Sequence, residues 1–290
     1  MSKELLMMDA RELLRRYAKG ERDFQGAKLE SAFLGGADLS GANLRECDLS
    51  GANLIGANLE RANLRESNLS DSHLDALLNE ANLIGANLTR ATLKGARLMN
   101  ASLRSANLQG AILTGADLSY AVMSEADLRD SDLSRAKMIG CNLGRAKLMN
   151  ASLEGANLEG ANLTNAVLMK ANLEEANLSK AILDGANLSY ANAARADFSH
   201  ARISSANLGS TNFTEANFRA AHIIWTTLRN TDFTRANLYR AQLCWSNMTG
   251  AILVEAQLID ANINEVNFKN ADLRGAIMPD AGSRDLNGKE

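Results

Sequence analysis

From Phe24 to Met278 an apolar residue returns at every fifth position, with a single four-residue step between Leu74 and Leu78. The centres run Phe24, Leu29, Leu34 and onward, and after the step they resume at Leu78, Leu83 and Leu88. Of 52 such centres, 51 are Leu, Phe, Met or Ile; Ala193 is the exception. Two places before the centre stands Ala in 41 units and Ser, Thr or Cys in nine more, so only Arg22 and Val266 break the rule. A period of five fits neither the helical nor the strand repeat, which excludes a long helix or a continuous strand here. A short fixed period over most of a chain predicts a solenoid whose turns stack on their neighbours. One large and one very small inward position per unit predict a narrow core, with Leu on its axis and Ala where the backbone turns close to it. Asn or Asp precedes the centre in 31 units, where a short polar side chain can bond nearby backbone and its own kind one coil away.

Units such as Ala156-Asn157-Leu158-Glu159-Gly160 and Ala161-Asn162-Leu163-Thr164-Asn165 resemble the pentapeptide repeat family, and they fill most of the chain. The resemblance implies an all-β solenoid, a right-handed quadrilateral β-helix with one unit per side. At four units per coil, 52 units give about 13 coils. Residues about twenty apart then stack on one side of the solenoid.

The expected organisation has three parts: an N-terminal capping helix within 1–23, the β-helix over 24–278, and a flexible tail over 279–290. Asp9 and Glu12 form a candidate capping box for a helix over 10–19, with Leu13, Leu14 and Tyr17 on one side and Gly20 as the stop. An open β-helix end exposes apolar centres and unpaired backbone, so this helix is expected to lie across the first coil. The other end shows no helical pattern after Met278, so either the tail or a second copy must cover it, and end-to-end dimers are familiar in the resembled family. The missing residue in Leu74-Asp75-Ala76-Leu77-Leu78 is expected to tighten one corner, leaving Leu77 exposed or tucked into it.

A net charge of −3 with 22% charged residues argues against direct nucleic-acid binding and against a strongly acidic mimic of it. Three cysteines without a Cys-x-x-Cys pair, and no secretory leader, point to a reducing cytoplasm. Cys47 and Cys141 take the small inward position, and Cys244 faces outward. No apolar run approaches the roughly 20 residues that cross a bilayer. The apolar side of the N-terminal helix is needed as a lid, which argues against a membrane partner.

Stacking at the coil period brings surface residues together that lie far apart in the chain. Most columns mix charge, as where Arg45 and Glu46 fall beside Arg65 and Glu66. The clearest departure pairs Ile224 with Cys244 and Trp225 with Trp245, the chain's only two tryptophans. Tyr239 falls around the preceding corner, with His222 and Gln242 flanking. Paired outward tryptophans are typical anchors of protein contacts, so Ile224, Trp225, Tyr239, Cys244 and Trp245 form the candidate interaction patch.

Catalytic patterns are missing from the sequence. His73, His200 and His222 fall on different sides or coils, no Gly-rich phosphate loop opens a helix, and a smooth solenoid lacks a concave pocket. No metal, cofactor or enzyme activity is expected. The leading role is a non-enzymatic scaffold or protein-interaction rod with an unidentified protein partner. A second class follows from the resemblance: some family members mimic a DNA duplex and protect DNA gyrase from quinolones. Those members tend to be acidic, whereas the charges here alternate in sign. A third class, an accessory part of a membrane or enzyme complex, rests on family members in which the repeat is fused to other domains.

Overall fold

The computed structural model describes residues 8–279, in two compact units, Met1–Ser152 and Leu153–Glu290. Each unit winds as a right-handed quadrilateral β-helix. Parallel bridges join residues twenty apart, such as Asp23 to Asn43 in the first unit and Asn157 to Asn177 in the second.

One repeat shows why the sequence takes this form. The Leu158 amide donates to Asn177 O at 2.7 Å and Gly160 N to Ser179 O at 2.9 Å, both one coil onward. Ala161 N closes a turn on Leu158 O at 2.9 Å, and Asn177 N returns to Ala156 O at 2.9 Å. The remaining amide, Glu159 N, has no backbone acceptor and donates to Asn157 Oδ1 at 3.0 Å. Asn or Asp before the centre thus satisfies an amide the ladder leaves over, which is why that position favours them. The third residue of each turn has positive φ, as in a type II turn, and Gly160 holds φ 64° there.

Because Oδ1 already accepts that amide, the Nδ2 of each Asn is free to donate toward the N-terminus. Asn63 donates to Asn43 at 3.0 Å, and Asn43 to Asp23 at 2.7 Å. Asn87 and Asn68 descend likewise to Asp48, and in the second unit Asn237 and Asn217 descend to Asp197. A carboxylate accepts but cannot donate, so it stands at the foot of these three ladders, whereas the bond from Asn177 to Asn157 ends on an amide.

Core centres are almost fully buried, and so are the alanines that turn the corners. Cys47 and Cys141 lie among them; burial pushes their thiols up to about 11 and about 12. Such thiols stay protonated and unreactive at neutral pH.

Helix α1 spans Ala10–Ala18. Asp9 caps it, accepting from Glu12 N at 2.8 Å, while Glu12 turns its carboxylate to Arg15 rather than back to the cap. The capping box is therefore half formed. Leu13 is buried, Tyr17 stacks 6.5 Å from Phe24, and the Tyr17 hydroxyl donates to Ser40 O at 2.7 Å. Over the last turns of the second unit the centres Ile263, Phe268 and Met278 are only half-buried and Leu273 is exposed. The tail expected from 279 falls, after Pro279, outside the described residues.

The four-residue step is absorbed at one corner. Asn58 bridges Leu77 and Asn63 bridges Asn82, nineteen apart, while Leu77 and Arg97 are again twenty apart. Gly56 N still reaches Asp75 O at 2.9 Å and Leu59 N reaches Leu77 O at 2.8 Å, so the ladder continues without a gap. Ala76 is buried and Leu77 half-buried beside the corner.

Candidate interaction surface

The tryptophan corner lies in the second unit, between the sides centred on Ile223 and Leu228 and, one coil on, Leu243 and Met248. The small inward positions here are Thr226 and Ser246, where alanine is usual. Their hydroxyls explain the change. Thr226 Oγ1 donates to Ile203 O at 2.6 Å, and Ser246 Oγ donates to Ile223 O at 2.7 Å. Thr226 N, which elsewhere would close the turn, points to Ser246 Oγ at 3.2 Å. Side-chain bonds between coils replace a local turn bond and hold this corner from behind.

Trp225 and Trp245 occupy the left-handed position of successive turns, with φ 57° and 60°. For a bulky L-residue that conformation costs roughly 1 kcal/mol. Their rings stack with centroids 5.1 Å apart and planes within 9°, close to the spacing of adjacent β-strands. Even so, Trp225 remains 62% exposed and Trp245 52%. Stacking on each other leaves one face of each ring, and the indole edges, open to solvent.

The other members of the sequence-derived patch are less prominent. Ile224 and Cys244 are half-buried beside the rings, and burial raises the Cys244 thiol above its ordinary value. Tyr239 is half-buried at the preceding corner, with the Arg240 guanidinium 4.9 Å and that of Arg219 5.7 Å from its ring centre. Those two arginines, and the hydroxyls of Thr226 and Ser246, escaped the sequence reading. The available signal was the run of Thr and Ser where alanine is the rule.

Elsewhere, a groove of about 600 Å³ in the first unit is lined by Asn58, Glu60, Arg61, Asn79, Glu80 and Met99, among others. Its charges are already engaged: Arg61 pairs with Glu80 at 2.9 Å and Asn79 donates to Glu60 at 2.8 Å. Among the described residues no three His, Cys, Asp or Glu side chains gather as metal ligands. No helix among them is long and apolar enough to cross a membrane.

Comparison with known proteins fits this geometry. The family described as Pentapeptide repeats matches in eight copies, over residues 23–61, 42–76, 76–115, 106–145, 146–185, 181–219, 211–250 and 251–281. HetL, a pentapeptide repeat protein involved in heterocyst differentiation regulation from the cyanobacterium Nostoc, is 31% identical. That match covers 94% of this chain and 98% of HetL, with a TM-score of 0.38. QnrB1, a plasmid-mediated fluoroquinolone resistance protein, is 20% identical over 64% of this chain and 89% of its own, with a TM-score of 0.36. No curated protein matches. The five-residue register, the square coils it builds and the eight matched copies lead to one conclusion: the chain belongs to the pentapeptide repeat family.

Proposed function

We propose that the protein is a non-enzymatic interaction module that holds a protein partner through the Trp225–Trp245 corner. The observation that supports this is the stacked pair, more than half exposed at 62% and 52% and seated in a conformation that disfavours bulky side chains. Large rings held that way without being buried are better suited to contact with another molecule than to stabilising their own chain. The three free cysteines, two of them buried and protonated, suit a reducing compartment such as the cytoplasm.

The duplex-mimic reading has less support, because the surface alternates in sign. Arg45 bridges Glu46 and Glu66, and Arg195 bridges Glu174 and Glu175. A second copy is proposed to cover the last turns of the second unit, where Leu273 and Ile277 are 36% and 50% exposed. The test is replacement of both tryptophans by alanine, with partner capture and self-association measured together. Partner capture is expected to fall sharply while the fold is kept; unchanged capture and unchanged mass would sink the reading.

A further inference from the structure

The charge around the tryptophans is of one sign over parts of three stacked coils. Three stacked stretches, 198–211, 218–231 and 238–251, contain no Asp or Glu. Bridges hold them in register: Arg202 to His222, His222 to Gln242, Asn207 to Thr227 and Thr227 to Asn247. Together they carry Arg202, Arg219, Arg229 and Arg240 with His200 and His222, all exposed, around the two indoles. The equivalent stretches immediately before and after, 178–191 and 258–271, contain Asp184, and Asp260 with Glu265. The acid-free sector around the indoles is thus bounded on both sides by coils that carry acids; residues 81–116 and 133–153 are also free of Asp and Glu but bear no exposed tryptophan.

Two of the four arginines are neutralised at the margins, Arg202 by Asp184 and Arg240 by Asp260. Arg219 and Arg229 have no carboxylate partner among the described residues, although nearly every other arginine pair in the second unit is formed between neighbouring coils, as Arg235 with Glu215. Arg219 lies toward the Tyr239 ring, and Arg229 stands on the far side of the tryptophan corner. Between them the exposed and half-buried polar groups include His222 and the amides and hydroxyl of Asn207, Gln242, Asn247 and Thr227, with no carboxylate. Unpaired guanidiniums bordering an exposed aromatic pair match carboxylates on an approaching surface, with the rings supplying apolar contact.

We infer that the Trp225–Trp245 surface takes an acidic protein segment, in which carboxylates meet Arg219 and Arg229 while apolar side chains pack on the indoles. This rests on the interaction reading above and specifies the partner's chemistry. An acidic segment is favoured over a nucleic acid because only two cations are unpaired, too few for a tracked phosphate backbone.

The experiment titrates the full chain with a synthetic peptide of alternating glutamate and leucine, followed by calorimetry and by tryptophan emission. The only two tryptophans are both at the surface tested, so emission reports this site alone. A lysine–leucine peptide of the same length and a single-stranded oligothymidylate serve as comparisons. Saturable binding of the glutamate peptide is expected, weakened about tenfold or more by Arg219→Glu with Arg229→Glu and by raised salt. Both arginines are exposed, and a thermal melt checks that the doubly substituted chain remains folded. No saturable response to the glutamate peptide, or equal or tighter binding of the lysine peptide or the oligonucleotide, would overturn the inference. Binding that is lost with Trp225→Ala and Trp245→Ala but indifferent to the arginines would also overturn it, while leaving the interaction reading intact. Binding indifferent to the tryptophans would remove both.

Discussion

Two departures from the repeat, one in each unit, are accommodated in opposite ways. Between Leu74 and Leu78 the chain is one residue short, and the backbone absorbs the loss at a corner while every centre stays buried. At Ala193 the chain length is right but the side chain is too small, and the core absorbs the difference. Phe213 lies one coil onward, where Ala193 N donates to Asn212 O at 2.8 Å. Around it Phe198, Phe218 and Phe233 form a ring cluster with centroids 4.8 to 5.5 Å apart. The larger rings at these neighbouring centres offset the volume that alanine lacks relative to leucine at 193. A corner is open to solvent and can shorten; the axis is closed and can only exchange volume.

The sharpest way to break this contrast is to remove a ring. Phe213→Ala should lower stability by about 3–5 kcal/mol, because the neighbouring small centre leaves nothing to collapse into the cavity. Chemical denaturation would measure it, and a loss below that of an ordinary Leu→Ala centre would show that the rings do not offset the volume Ala193 lacks. Restoring the missing volume should also harm: Ala193→Leu is expected to cost about 1–3 kcal/mol by overpacking, unless Phe213→Leu accompanies it. A double-mutant cycle on the two positions should show strong coupling.

Corner changes should be milder. Gly140 holds φ 61°, and a Cβ there would stand 2.8 Å from the Tyr120 ring, which lies across it. Gly140→Ala is predicted to cost about 1–2 kcal/mol, with part recovered when Tyr120 is also made alanine. Inserting one glycine between Asp75 and Ala76 should change thermal stability by less than about 1 kcal/mol, since it restores the usual unit length at a solvent-facing turn. A loss as large as that of Phe213→Ala would erase the distinction between corner and axis.

The smallest effect is expected at the foot of a ladder. Burial pushes the Asp48 carboxyl up, but hydrogen bonds from Ser50 and Asn68 and the nearby Lys28 outweigh it and hold it below the usual carboxylate value. A folded value below the unfolded one means stability that is present above the unfolded value and lost as pH falls through the folded one. Asp48→Asn should therefore lower stability slightly at neutral pH and by less as the pH falls, flattening part of the acid limb of the stability curve. An unchanged acid limb would show that the ladder does not depend on the carboxylate at its foot.

Much of this was legible along the chain. The five-residue period, the apolar centre and the small residue before it predict the coil, and Asp9 predicts where α1 begins. The stacking of Trp225 on Trp245 follows from their separation of twenty once the coil is known. Other features depend on what neighbouring coils supply. Glu12 in the capping box turned to Arg15, and Thr226 and Ser246 proved to be donors across coils rather than alanine substitutes. The direction of the Asn ladders is likewise invisible in a linear pattern, because it depends on which oxygen the backbone has already taken.

The sequence alone determined the winding and its interior, since a period incompatible with helix or strand and one apolar residue per unit leave few other ways to bury them. Only the tertiary structure decided where the chain's irregularities are absorbed and which charges go unpaired. Those outcomes turn on contacts between residues about a coil apart, where hydrogen-bond capacity, ring volume and ion pairing are settled jointly by several coils and by no single unit.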